Sequence, residues 1–266
     1  MAFPEAQQRA LIRRPSPKLA QGLITHIDRV PIDIDLARAQ WQGYVDALTG
    51  HGWQTFEVPA APDCPDSVFV EDSVVMYAGT AVISNPGADE RKPETVGTAE
   101  TLRELGYPVQ TMSTGTLDGG DVLKIGSTVY VGRGGRTDAA GVAEFRSILT
   151  GLGATVIAVP LTKVLHLKSA VTALPDGTVI GYPPIVDDPG FFPHFLPMPE
   201  EGGSHVVDLG AGRLLMASSA PRSAELIADL GYTPVPVDIS EFEKMEGCVT
   251  CLSVRLRAAP GTTGAN

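Results

Sequence analysis

Two of the chain's three cysteines, Cys248 and Cys251, stand in a CxxC spacing within EGCVTCLSVRL. Thiols so placed serve one of three chemistries: a redox pair, half of a metal site, or a single nucleophile beside a bystander. A redox CxxC usually lies where a strand meets a helix N-terminus, whose dipole lowers the first thiol's pKa. Here CLSVRL alternates as a strand does, and no helical pattern follows Cys251. A structural zinc site takes four ligands, and Cys64 is the one further thiol. A single nucleophile fits better: Cys251 after a glycine-containing turn, with a histidine as proton partner and a carboxylate to orient it.

Of the five histidines, His26, His51, His194 and His205 stand singly in loop-like or helix-end contexts and read as surface or structural. His166 differs, lying in the apolar, strand-like KVLHLKSAV with the cationic Lys168 two residues on. Asp118 and Asp121 flank two glycines in TLDGGDVL. Such glycines permit a tight turn that aims a carboxylate inward, although the motif alone also reads as an ordinary acidic turn. Glu71 and Asp72 interrupt the Val/Phe run of SVFVEDSVV, which otherwise reads as a buried strand. Buried carboxylates are costly unless a positive group meets them, either a cationic ligand or an internal arginine.

The elements that must hold these residues recur along the chain. ALTGHGWQTFEVP, TLRELGYPVQTM, ILTGLGATVIAVP and LIADLGYTPVPVD each read as a helix end, a glycine stop (Gly52, Gly106, Gly153, Gly231) and a strand. Hairpins precede three of them, with turns at Ala78-Gly79, Gly126-Ser127 and Gly210-Ala211-Gly212, and a further hairpin turns at Asp176-Gly177. The unit is hairpin, helix, strand, repeated at roughly 45–55 residues where nothing is inserted. Such a unit cannot bury both faces of its sheet alone, so several must pack around an axis. PPIVDDPGFFPHFLPMPEEGGS interrupts the rhythm as a long irregular insertion. The expectation is an α/β fold, one catalytic domain over residues 1–266 with an ordered core over about 9–257, and disorder in roughly the first eight and last nine residues.

Composition narrows the function. At 266 residues, 43% hydrophobic and 19% charged, the chain reads as a globular enzyme able to bury a sizeable core. A net charge of −11 argues against a nucleic-acid partner and is compatible with a cationic small molecule. No apolar run approaches the roughly 20 residues of a membrane span, and the N-terminal stretch lacks the apolar region of a signal peptide. Three cysteines do not form a disulfide framework, which points to the cytoplasm.

Five stretches, PDSVFVED, TLDGGDVL, GGRTDAAG, VLHLKS and EGCVTCLSVRL, taken in order, resemble the dimethylarginine dimethylaminohydrolase family of the guanidine-modifying (pentein) superfamily. The resemblance spans roughly residues 11–257, nearly the whole chain. It implies a pentein α/β propeller, five pseudosymmetric ββαβ modules around a short central channel, which would account for the repeat. Arginine deiminases resemble this layout but typically carry Arg-Asp in the first motif and Asp two residues after the histidine. This chain has VED and, at the second place, Lys168, which repels a guanidinium.

By that resemblance Cys251 is the nucleophile, His166 the general acid/base and Asp118, where many relatives have Glu, the residue that holds the imidazole. Glu71 and Asp72 face the substrate guanidinium; Asp66 and the backbone of Leu23, in a lid region, receive the α-amino group. Arg91 and Arg136 bind the α-carboxylate and Met245 offers a backbone contact. Cys248 matches no catalytic position and reads as a small buried hydrophobe. The implied reaction hydrolyses asymmetric dimethylarginine or monomethylarginine to citrulline and the amine through a covalent S-alkylthiouronium, with no cofactor and no metal, in a monomer or homodimer. Zinc would act only as an inhibitor on Cys251 and His166. The alternatives are hydrolysis of another guanidine such as arginine, and a non-catalytic CxxC thiol or metal-binding module.

Overall fold

The computed structural model describes residues 8–256 and contains, among them, five three-stranded sheets of one repeated design. In each, a first strand pairs antiparallel with a middle strand, and a crossover then returns a third strand parallel to the middle one. The second module is β3 (Val74–Tyr77), β4 (Thr80–Ile83), α2 (Glu94–Glu104) and β5 (Val109–Thr111), preceded in the chain by β1 (Arg9–Ile12), α1 (Ile34–Gly50) and β2 (Gln54–Glu57). The third is β6 (Val122–Ile125), β7 (Thr128–Arg133), α3 (Ala139–Gly151) and β8 (Thr155–Pro160). After α4 (Leu167–Ala170), the fourth has β9 (Val171–Ala173), β10 (Val179–Gly181) and β11 (Phe195–Pro197). The fifth has β12 (Val206–Gly210), β13 (Arg213–Ala217), α5 (Pro221–Asp229) and β14 (Thr233–Val237), and α6 (Ser240–Glu243) leads on to β15 (Val254–Leu256).

Turn chemistry sets these units. Ala78 and Gly79 both have positive φ (45° and 75°) between the paired Tyr77 and Thr80, the conformation that the tightest hairpins require. Gly52, Gly106, Gly153 and Gly231 all lie at φ 84–89° just beyond their helices, as expected of helix-stopping glycines. The first module is completed from afar: β15 pairs antiparallel with β1, taking the place of a hairpin partner. The segment read as an irregular insertion supplies β11, reached from β10 through short 3-10 turns instead of a helix.

The modules share cores around a closed ring. Successive residues on a strand face opposite sides, so each middle strand feeds two clusters. Leu11 packs with Val74, Ala81 and Val254 of modules one and two, while Val75 and Val82 pack with Val122 and Val129 of module three. Leu123 and Tyr130 meet Val171 and Val179, and Ile180 meets Val206 and Leu214. Val207 and Leu215 of the fifth module return to Ala10 and Ile12 of the first. The innermost strands β3, β6, β9, β12 and β15 line one central cavity, the channel of an α/β propeller. No helix among the described residues is long and apolar enough to cross a membrane. The disorder expected at both ends falls, Gln8 apart, outside the described residues.

Candidate active site

At one end of the ring, the turns that lead into the inner strands bring the chemical residues together. Glu71 and Asp72 do not sit in a strand; Val70–Ser73 is a 3-10 turn that ends where β3 begins. Their Val/Phe neighbours favour strand, but the turn lets consecutive carboxylates diverge, and they do. Asp72 points to a narrow pocket lined also by Leu23, Asp66, Phe69, Arg91, Arg136, His166, Met245 and Cys251. Glu71 is not part of that lining; it lines the central channel, ion-paired with Lys168 and accepting a hydrogen bond from Thr250 Oγ1 at 3.0 Å.

The second acidic turn, Gly119–Asp121, packs on the first. The amide of Gly120 donates to Oδ1 of Asp72 at 2.9 Å. Asp118, fully buried, divides its carboxylate: Oδ1 accepts from the Gly87 amide at 2.9 Å, and Oδ2 lies 2.9 Å from Nε2 of His166. His166 is not in a strand either; it is the extended residue capping α4. Asp121 accepts from the Leu167 amide at 2.9 Å and from Thr137 Oγ1 at 2.5 Å, so it fixes the start of α4 and with it the imidazole. Sequence reasoning left Asp121 out of the site, although its place beside Asp118 in TLDGGDVL was the available signal.

Cys251 lies in a turn ahead of β15, and its carbonyl accepts from the Glu71 amide at 3.3 Å. Its sulfur is 3.2 Å from that of Cys248, which is buried in the hydrophobic core as expected. The segment around Leu23 lines the pocket, and the Leu23 amide donates to Oδ2 of Asp66 at 3.0 Å. Glu246, which no sequence signal marked, accepts from the amides of Thr25 and His26 at 2.6 and 2.8 Å. Arg91 is buried and engaged throughout: with Glu94, with Oδ2 of Asp72 at 2.5 Å, and with the carbonyls of Asp66 and Phe69. Arg136 stands in the pocket wall. Glu94, the partner that neutralises Arg91, was also missed, for it reads as one more helical surface acid.

The fields in the site follow from this packing. Burial disfavours a charged His166, but the carboxylates of Asp72, Asp118 and Asp121 outweigh it and hold the imidazole at about 9. Burial likewise opposes ionised Asp72, yet His166, Arg91 and the Gly120 amide bring it down to about 2. Burial pushes Asp121 up to about 6. Cys251 is pushed up by its hydrogen bond with Cys248, by burial and by the carboxylates of Glu71 and Asp72. A cation arriving in the pocket would reverse that effect and favour the thiolate.

Asp72, Asp118 and His166 lie close enough to hold a metal ion. Their atoms are already committed, however: Asp72 to Arg91 and Gly120, Asp118 to Gly87 and His166. The arrangement sets a thiol, an imidazole and a carboxylate oriented on that imidazole around a pocket whose walls include Asp72, Asp66 and Arg136. That set suits attack on a guanidinium carbon in a molecule that also bears an amino acid end.

Comparison with known proteins agrees with this chemistry. The model of the arginine deiminase family matches residues 61–213. The chain is 64% identical over 251 residues to an N(G),N(G)-dimethylarginine dimethylaminohydrolase of Streptomyces coelicolor, covering 94% of this chain and 97% of that one. It is 33% identical over 251 residues to the enzyme so named in Pseudomonas aeruginosa, covering 92% and 98%. The solved structure of a cysteine-to-serine mutant of the Pseudomonas aeruginosa enzyme, complexed with citrulline, superimposes with a TM-score of 0.87 at 33% identity, covering 93% and 98%.

Proposed function

The chain belongs to the dimethylarginine dimethylaminohydrolase family, within the wider group described by the arginine deiminase model, and we propose that it hydrolyses Nω-methylated arginines to citrulline and methylamine or dimethylamine. One observation carries the reading: Cys251, His166 and Asp72 line a single narrow pocket.

The substrate guanidinium enters beside Asp72 and favours the Cys251 thiolate, which bonds to the guanidinium carbon. His166 gives its proton to the departing amine, and the C–N bond breaks to leave an S-alkylthiouronium on Cys251. His166, now neutral, takes a proton from water as that water bonds to the same carbon. Collapse breaks the C–S bond and restores the thiolate, the new hydroxyl gives its proton to solvent or to the released amine, and citrulline leaves. Asp118 holds the imidazole through both halves, and Asp121 holds the turn that carries it.

Asp66 and the Leu23 carbonyl receive the α-amino group, and Met245 closes the same wall. Arg136 takes the α-carboxylate; Arg91, anchored by Glu94, sets Asp72 and presents its charge beside it. Asp72 is the carboxylate offered to the guanidinium, and Glu71, neutralised by Lys168, acts on the nucleophile from the channel side. The enzyme is one catalytic domain over residues 1–266, cytoplasmic, a monomer or homodimer, and works without a cofactor.

Citrulline release from asymmetric dimethylarginine, monomethylarginine and arginine, with Cys251→Ser as control, tests the proposal. Turnover of the methylated substrates, lost in the variant, is expected. Turnover of arginine alone would make it a deiminase, and no citrulline from folded, reduced, metal-free protein would overturn the catalytic reading.

A further inference from the structure

Cys248 and Cys251 open onto different cavities although their sulfurs are 3.2 Å apart. Cys251 lines the candidate catalytic pocket. Cys248 lines a separate, larger cavity across the 246–249 segment, with Lys163, His205 and Glu243 among its other walls. Each residue is buried, at 5% and 7% exposure, and each lines its own cavity. The sulfur of Cys248 also lies 3.2 Å from Thr250 Oγ1.

The backbone between them already suits a covalent link. The Cys251 amide donates to the Cys248 carbonyl at 3.1 Å, closing a turn. A turn so closed keeps its end Cα atoms within about 7 Å. A disulfide takes Cα atoms about 4.4–6.8 Å apart. The hydrogen bond from Cys251 lowers the Cys248 thiol, against its burial and with help from His205 and Thr250. Thiolate character and access are the two conditions for reaction with peroxides.

We propose that Cys248 is a peroxide-reactive modification site whose oxidation captures Cys251 in a Cys248–Cys251 disulfide. The Cys248 thiolate attacks one oxygen of a hydroperoxide, the O–O bond breaks, and water or an alcohol leaves after protonation, giving a sulfenic acid. Cys251 then attacks that sulfur; the S–O bond breaks, the S–S bond forms, and the Cys251 proton leaves with the hydroxide as water. Two electrons pass from the thiol pair to the peroxide. A dithiol reductant reverses the bond by exchange. Cys64, buried and with its thiol pushed up chiefly by burial, takes no part. The loss of activity rests on Cys251 being the nucleophile; the bond itself does not.

The test exposes the full chain to hydrogen peroxide and follows intact mass, free thiols and citrulline release together. The wild type should fall from three free thiols to one, lose the mass of two hydrogens, lose activity in proportion to the bridged fraction, and recover it fully with dithiothreitol. Cys248→Ser should show no such mass loss, should gain oxygen on Cys251, and should recover a smaller share of its own starting activity. Oxygen added to Cys251 of the wild type without a bridge, a bridge to Cys64, or equal recovery in Cys248→Ser would overturn the proposal. A chain that bridges as described but released no citrulline beforehand upholds the site and overturns the hydrolase reading instead.

Discussion

Gly120 approaches Asp72 so closely that its amide donates to Oδ1 at 2.9 Å, and a methyl group on it would stand 2.6 Å from that oxygen and 2.7 Å from Nδ1 of His166. The two acidic turns therefore meet where only a hydrogen fits. Gly120→Ala should push the carboxylate and the imidazole apart while leaving the sheets in place. A displacement of this kind costs about 100-fold in rate. Steady-state kinetics would show the loss in kcat, and far-UV circular dichroism should stay that of the wild type.

His166 ties stability to pH. Its value rises from the ordinary 6.5 to about 9, so the folded protein holds this proton more tightly than the unfolded chain does. The stabilisation is complete below 6.5 and is lost as pH rises through about 9. Asp72, depressed to about 2, is the other side of the same pair, and its contribution is lost only as pH falls through that value. Melting temperature should decline across the alkaline window in the wild type and decline less in His166→Gln, measured by differential scanning calorimetry.

The two arginines of the pocket should separate cleanly. Arg91→Ala leaves Glu94 and Asp72 buried without their shared cation, and breaking such a pair costs about 3–5 kcal/mol. Arg136→Ala removes a cation from the pocket wall and should raise KM with little change in denaturant midpoint. Equal destabilisation by both would refute this division.

Asp118→Asn keeps the shape of the contact with Nε2 but removes its charge. A fall in kcat of about 10²–10⁴ is expected for the loss of a well-poised general acid. The alkaline limb of the pH–rate profile should move to lower pH, because the imidazolium loses a supporting anion. An unchanged profile would show that Asp72 and Asp121 alone set the proton affinity.

Much of the architecture was legible because it is written in local turn chemistry. Positive φ at Gly79 and at the four helix-stopping glycines follows from residue type, and these marks punctuate the repeat. The pairing of β15 with β1 was not legible, since no local pattern couples strands so distant in sequence. SVFVED and VLHLKS read as strands because β-branched and apolar runs favour them, yet tertiary packing folds Val70–Ser73 and Leu167–Ala170 into short helical turns. The same packing separates Glu71 from Asp72, gives Glu71 to Lys168, and brings Glu94 to Arg91. Spacing along the chain contains none of these choices.

The β15–β1 pairing also times the appearance of chemistry. Cys251 stands three residues before β15, while His166 and Asp118 belong to modules formed by the middle of the chain. Cys251, the proposed nucleophile, reaches His166 and Asp118 only when the last strand docks on the first, a long-range contact that is slow to form because loop closure precedes any gain from it. A half-assembled ring thus carries an acid and no warhead. Enzymatic turnover is then a direct readout of ring closure, and regain of activity during refolding should coincide with the last structural phase instead of preceding it.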